Sequence, residues 1–108
     1  MKRSLILPYR LSPSEEYAMV WWCLKYRRSL PRIYTTKNIC STAHHLKDDL
    51  AWYDLDYRSI FLSEKFFKLE IDQRILVLFH ECAHYLGVRS EKKADIIAGS
   101  DFFKLRTQ

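Results

Sequence analysis

Glycine, proline and cysteine are all scarce in this chain of 108 residues. It contains two glycines, three prolines and three cysteines. Two glycines are too few for a turn-rich sandwich or barrel, and no glycine-rich loop is present to hold a phosphate group. The cysteines Cys23, Cys40 and Cys82 are odd in number and widely spaced. This spacing predicts a reduced compartment without a disulfide framework, so any chemistry must come from a compact set of side chains.

Long apolar runs are also missing. The longest are residues 17–24 and 75–79, well short of the roughly 20 residues that cross a bilayer. Near the start, three apolar residues precede Pro8, which is too few for the apolar core of a signal peptide. We therefore expect a soluble cytoplasmic protein without a membrane partner; the sequence leaves its oligomeric state open.

The residues that are abundant favour one small globular domain, spanning residues 1–108. Hydrophobic residues make up 48% of the chain and aromatic residues 15%, too much apolar surface for a disordered chain. The charge is uneven: residues 1–47 hold nine basic and two acidic side chains, and residues 48–108 hold nine basic and eleven acidic ones. A basic first half is compatible with nucleic acid, an acidic partner or anionic lipid, but an ordinary solvated surface is the favoured explanation.

The predicted elements begin with a helix from Ser12 to about Ser29, because the sequence Ser-Pro-Ser-Glu at residues 12–15 matches a capping box with proline at the first helical position. Short segments rich in β-branched and aromatic residues then predict three strands, at residues 32–36, 50–55 and 58–62. One helical turn containing Phe66 and Phe67 follows.

Two further helices are predicted in the last third of the chain. Asp72 is the expected cap of the first, and Gly87 is placed where a left-handed helix end belongs. Ser90 is the expected cap of a last helix that continues toward Phe103. The fold class is therefore α+β: an N-terminal helix, a small three-stranded sheet and two C-terminal helices.

The first of these C-terminal helices contains the pattern His-Glu-x-x-His at residues 80–84. His80 and His84 are four residues apart on one helix face, so both imidazoles can reach a single ion. Zn²⁺ accepts such ligands and, in a catalytic site, keeps one position for water. The metal lowers the pKa of that water toward about 7, and Glu81 is placed to take its proton. Cys82, between the two histidines in sequence, is expected in the core.

A catalytic zinc needs a third protein ligand. The next acidic residues after Gly87 are Glu91 and Asp95, which are four apart and therefore face the same way on the last helix. We assign Glu91 as the third ligand and expect Asp95 to accept a hydrogen bond from the non-ligating nitrogen of His80. Asp95 as the ligand, or Glu91 as an acid that complements the helix dipole, are the alternatives.

These motifs resemble the zincin metallopeptidases, and among them the gluzincins, whose second motif is a glutamate ligand with an aspartate four residues later. The residues that carry the resemblance are the His-Glu-Cys-Ala-His sequence at 80–84 and the Glu-Lys-Lys-Ala-Asp sequence at 91–95. The length and the order of elements are similar to those of the minimal members called minigluzincins. Gluzincins usually have many more residues between the second histidine and the glutamate than the six present here.

The resemblance implies a metallopeptidase that holds one zinc ion per chain and acts on peptide or protein substrates. It also implies that an extended substrate pairs with the strand before the metal helix, here Ile60, Phe61 and Leu62, as an edge strand.

Other assignments stay open. The residue that stabilises the oxyanion is one of four: His44, His45, Tyr53 and Tyr85. The alternative function is a non-catalytic module on the same scaffold, which binds nucleic acid or a protein through the basic N-terminal half. A purely structural zinc domain is the third hypothesis.

Overall fold

Four strands and three α-helices make up the part of the chain that the computed structural model describes, residues 5–37 and 50–108. In chain order they are β1 (Leu5–Pro8), α1 (Pro13–Tyr26), β2 (Arg32–Lys37), β3 (Ala51–Asp54), β4 (Ser59–Leu62), a 3₁₀ helix (Glu64–Lys68), α2 (Ile71–Tyr85) and α3 (Glu91–Arg106). The predicted α+β class is confirmed. Among these helices, none has the length and apolar character needed to span a bilayer.

Within the described ranges the sheet has four strands in the order β1-β2-β4-β3, one more than predicted. The additional strand is β1, which pairs antiparallel with β2 so that Pro8 lies opposite Tyr34. Its three apolar residues before a proline carry little strand signal by themselves. An edge strand tolerates a terminal proline, because only one of its sides needs hydrogen-bond partners.

The prediction that Ile60, Phe61 and Leu62 form an edge strand is wrong. They belong to β4, which pairs with β2 in parallel on one side and with β3 antiparallel on the other. All four residues of β4 are buried, as in a central strand. Within the described part of the sheet, β3 is the strand at that edge.

The capping box of α1 is confirmed: Ser12 Oγ accepts from the backbone of Glu15, and the Glu15 side chain accepts from the backbone of Ser12. The helix ends earlier than predicted, at Tyr26, because Arg27 adopts a left-handed conformation with φ of 53°. The prediction of Asp72 as the cap of the next helix is also wrong, since α2 already begins at Ile71 and Asp72 forms an ion pair with Arg106.

The core lies where α1 and α2 pack against the sheet. Its largest fully buried side chains include Trp22, Phe66 and Phe79. Helix α2 contacts α1, α3 and β3, so it is the central element of the fold. Asp101 of α3 is buried and is bound by Lys25 and by the hydroxyl of Tyr26, 2.6 Å away, which ties α3 to the end of α1.

Candidate metal centre

Helix α2 holds the two histidines because its opposite side is anchored in the core. Phe79, Cys82 and Ala83 are fully buried, which confirms the core position predicted for Cys82. His80 and His84 lie one turn apart on the remaining face, and the side chain of each is 14% exposed. Burial of one helix face therefore aims both imidazoles in the same direction, toward α3.

The connection from α2 to α3 is a tight turn at Gly87. This residue has φ of +108°, a left-handed conformation that favours glycine. The backbone of Gly87 donates to the carbonyl of His84 at 2.9 Å, and the backbone of Val88 donates to that of Ala83 at 3.1 Å. These two bonds form a Schellman motif, which satisfies carbonyls at the end of α2 and sends the chain back across it.

Helix α3 begins directly after this turn. Ser90 Oγ accepts from the backbone of Lys93 at 3.2 Å, so the predicted cap is confirmed. Capping at Ser90 makes Glu91 the first helical residue and brings its carboxylate over the two histidines. The six residues between His84 and Glu91 are therefore sufficient to close the site.

The structure brings His80, His84 and Glu91 into one cluster. The Nε2 atoms of the two histidines are 3.1 Å apart. Glu91 Oε2 lies 3.0 Å from His80 Nε2, and Glu91 Oε1 lies 2.7 Å from His84 Nε2. The histidine side chains are mostly buried, whereas that of Glu91 is 78% exposed, so the cluster opens to solvent on one side.

The other nitrogen of each imidazole faces an acceptor. Asp95 Oδ1 lies 2.6 Å from His80 Nδ1, the contact expected from the sequence. His84 Nδ1 lies 2.6 Å from the carbonyl oxygen of Val88. Because carbonyl and carboxylate oxygens only accept, the proton of each neutral imidazole belongs on Nδ1. Both Nε2 atoms then present lone pairs to the cluster.

Three acceptors that face one another at 2.7–3.1 Å repel unless a cation lies among them. A proton on one imidazole or a metal ion meets this requirement. Ligand atoms about 2.0–2.1 Å from a tetrahedral Zn²⁺ are roughly 3.3 Å apart, so small side-chain rotations would admit the ion. Two imidazole nitrogens and one carboxylate are also a donor set that Zn²⁺ accepts, so the residues fit the metal.

Glu81 lies beside the cluster. Glu81 is 7% exposed, and its Oε2 atom is 4.0 Å from His80 Nε2. This distance is too long for a shared ligand position but short enough to face a molecule that occupies the open side. Glu81 is therefore the general-base candidate by position as well as by sequence.

Two clefts meet at Glu81 and Ala51, which line both of them. The larger, of about 770 Å³, runs between the edge strand β3 and the turn after α2, with His84 and Glu91 in its wall. The smaller, of about 500 Å³, contains His80 and Asp95. The histidine cluster thus lies where the two clefts meet, and together the clefts form a groove beside β3.

Tyr53 is the oxyanion candidate that borders this groove. It lines the larger cleft, and its ring centroid lies 5.9 Å from that of Tyr85. Burial is the main cause of a raised pKa at the Tyr53 hydroxyl, which nearby Arg58 partly opposes. The hydroxyl therefore stays protonated at neutral pH and can donate a hydrogen bond. His44 and His45, together with Cys40, lie outside the described residues.

Three features of the site escaped sequence reasoning. The Val88 carbonyl orients His84, β3 forms the groove wall in place of β4, and Arg89 lines the larger cleft. Gly87, directly after the helix, was a usable signal for the Val88 carbonyl, because a Schellman turn fixes the position of the next carbonyl. No local signal shows that β3, and not β4, forms the groove wall, since strand order depends on long-range pairing.

Comparisons with protein-family models, with curated proteins and with solved structures each gave no match to this chain. Its function must therefore be inferred from the site itself.

Proposed function

We propose that this protein is a zinc-dependent metallopeptidase of the zincin type, with a gluzincin-like ligand set. The observation that carries the proposal is the convergence of His80 Nε2, His84 Nε2 and the Glu91 carboxylate within 3.1 Å, beside Glu81. His80, His84 and Glu91 would hold the ion. Asp95 contacts His80 Nδ1, on the side of the ring that faces away from the cluster. This position supports the hypothesis that Asp95 orients His80 over the alternative that Asp95 is the third ligand.

Glu81 would act as the general base. When bound, zinc supplies Lewis acidity, which lowers the pKa of water toward about 7. Glu81 faces the cluster from a nearly buried position, so it can accept a proton there and later donate it to the leaving amine. The exposed side of Glu91 leaves the cluster accessible to a large substrate.

The substrate would lie along β3. In the described part of the sheet, β3 has a strand neighbour on one side only, β4, and an extended peptide can add to the outer side of such a strand. The groove along β3 passes Glu81 and both histidines, so a peptide paired with Ala51–Asp54 would present one carbonyl to the cluster. Tyr53, whose hydroxyl is protonated, would donate to the oxyanion that develops at this carbonyl.

The direct test combines metal analysis with a substitution of the base. Freshly purified protein should contain about one zinc per chain and should cleave peptides from a mixed-sequence library. Glu81→Gln keeps the size and shape of the side chain and one acceptor oxygen, but it removes the base. We expect full zinc content with a loss of peptide cleavage of at least about 100-fold.

His84→Ala is the matched control, because it removes a ligand from the same helix and should lose both zinc and activity. Purified protein without stoichiometric metal would contradict the proposal. Full zinc content without cleavage of any library peptide would favour the non-catalytic binding module instead, especially if binding to nucleic acid then proves sensitive to salt.

A further inference from the structure

Arg89 is a charged residue of the larger cleft that the proposed reaction leaves without a role. Arg89 is exposed and lines this cleft from the turn after α2, and Trp52, Tyr53 and Leu55 line the same cleft. It forms no ion pair with another residue in the described part of the chain. Among the residues of the described ranges that line the smaller cleft, in contrast, none is a lysine or an arginine.

The backbone that carries Arg89 is held on both sides. Before it, the Val88 carbonyl is bonded to His84 Nδ1 at 2.6 Å, and after it Ser90 caps α3. Arg89 is also two residues from Glu91, so a bound zinc ion would place a second positive charge nearby. Two positive charges close together attract an anionic group of a ligand that lies between or beside them.

We propose that Arg89 selects peptides that carry an acidic side chain, through a charge-assisted hydrogen bond in the larger cleft. This inference rests on the proposed peptidase function and names its substrate class. A guanidinium group recognises a carboxylate by two parallel hydrogen bonds, which an amide of the same shape cannot reproduce.

The strand direction places the acidic residue relative to the scissile bond. β3 runs from Ala51, which lines both clefts, through Trp52 and Tyr53, which line only the larger cleft. Antiparallel pairing is the slightly more stable arrangement, and a peptide bound in this way has its N-terminal part over the larger cleft. The acidic residue is therefore on the amino side of the bond that is cleaved.

The experiment uses three peptides that differ only by Glu, Gln or Lys on the amino side of the scissile bond. For the wild-type protein, kcat/KM should favour the Glu peptide over the Gln peptide by about tenfold. Arg89→Ala should reduce this ratio to about one, Arg89→Lys should retain part of it, and Arg89→Glu should reverse it in favour of a Lys peptide. Lys92→Ala is the control, because Lys92 is an exposed cation nearby that lines neither cleft, and it should keep the wild-type ratio.

A binding measurement separates the two proposals. Fluorescence anisotropy with zinc-loaded Glu81→Gln protein should show about tenfold tighter binding of the Glu peptide, and adding Arg89→Ala should abolish the difference. Equal binding of the Glu and Gln peptides, or a preference that survives Arg89→Ala, would overturn the role of Arg89 alone. Failure of the wild-type protein to cleave any peptide, with Arg89-dependent binding intact, would overturn the peptidase function and leave Arg89 as an anion-binding residue.

Discussion

At the scale of single residues, the two imidazoles are oriented by partners of different kinds. His84 Nδ1 is bonded to a backbone carbonyl, which the fold of the turn fixes. His80 Nδ1 contacts the side chain of Asp95, which is 75% exposed. The orientation of His80 therefore depends on one replaceable residue, and that of His84 does not.

Substitution of Asp95 should weaken metal binding without abolishing it. Asp95→Ala removes the acceptor of His80, so we expect zinc affinity to fall by about 10–100-fold. Asp95→Asn keeps an acceptor oxygen and should recover much of the loss. The measurement is competition for zinc against a chromophoric chelator. Asp72→Asn is the control, since Asp72 is an acidic residue on α2 that pairs with Arg106 and should leave the affinity unchanged. An unaltered affinity in Asp95→Ala would show that Asp95 does not orient the ligand.

At the scale of elements, the turn between α2 and α3 decides whether the site forms. It contains the single left-handed glycine among the described residues, Gly87, and the Schellman bonds that reverse the chain. The other glycine, Gly99, lies inside α3 with open space around the position of an added Cβ. Gly87 is therefore required by the backbone conformation of the turn, whereas nothing around Gly99 requires a glycine.

Replacing each glycine by alanine should change stability in opposite directions. Gly87→Ala forces a Cβ into a left-handed conformation, so the free energy of unfolding should fall by about 1–2 kcal/mol. Gly99→Ala adds a good helix former where nothing is in the way, and should raise it by about 0.5–1 kcal/mol. Urea unfolding of the metal-free proteins measures both changes. A loss of stability in Gly99→Ala would contradict the open environment around this residue.

At the scale of the whole molecule, the core and the candidate site are separate. The hydrophobic core draws buried side chains from α1, α2, α3, the sheet and the 3₁₀ helix, so the domain has packing that does not need the metal ligands. The cluster instead joins the C-terminal half of α2 to the first turn of α3. Metal binding should therefore add stability to a domain that is already folded.

Removal of zinc tests this separation. With free zinc about 100-fold above its dissociation constant, binding should contribute about 2.7 kcal/mol to the free energy of unfolding. Chelation should lower Tm by roughly 10 °C or more, while the far-ultraviolet circular dichroism at 25 °C stays that of a folded protein. His84→Ala should show no such zinc-dependent shift. Unfolding upon chelation at 25 °C would instead identify a structural zinc domain.

What the sequence alone determined was local. Helical periodicity put His80 and His84 on one face of α2 and Glu91 and Asp95 on one face of α3, and capping residues placed the starts of α1 and α3. These features depend on residues within one or two turns of each other, so their geometry follows from a short sequence. The start of α2 was missed because its N-cap, Glu70, makes no side-chain capping bond and leaves no distinctive pattern.

What only the tertiary structure decided was the order of the strands and everything that depends on it. The short apolar segments at residues 51–54 and 59–62 look alike in sequence, and neither shows which of them is paired on both sides. Pairing with β2, more than twenty residues earlier, makes β4 central and leaves β3 as the groove wall. The scarcity of glycine excluded a glycine-rich loop that holds a phosphate group. One of the two glycines, Gly87, forms the turn that closes the candidate site.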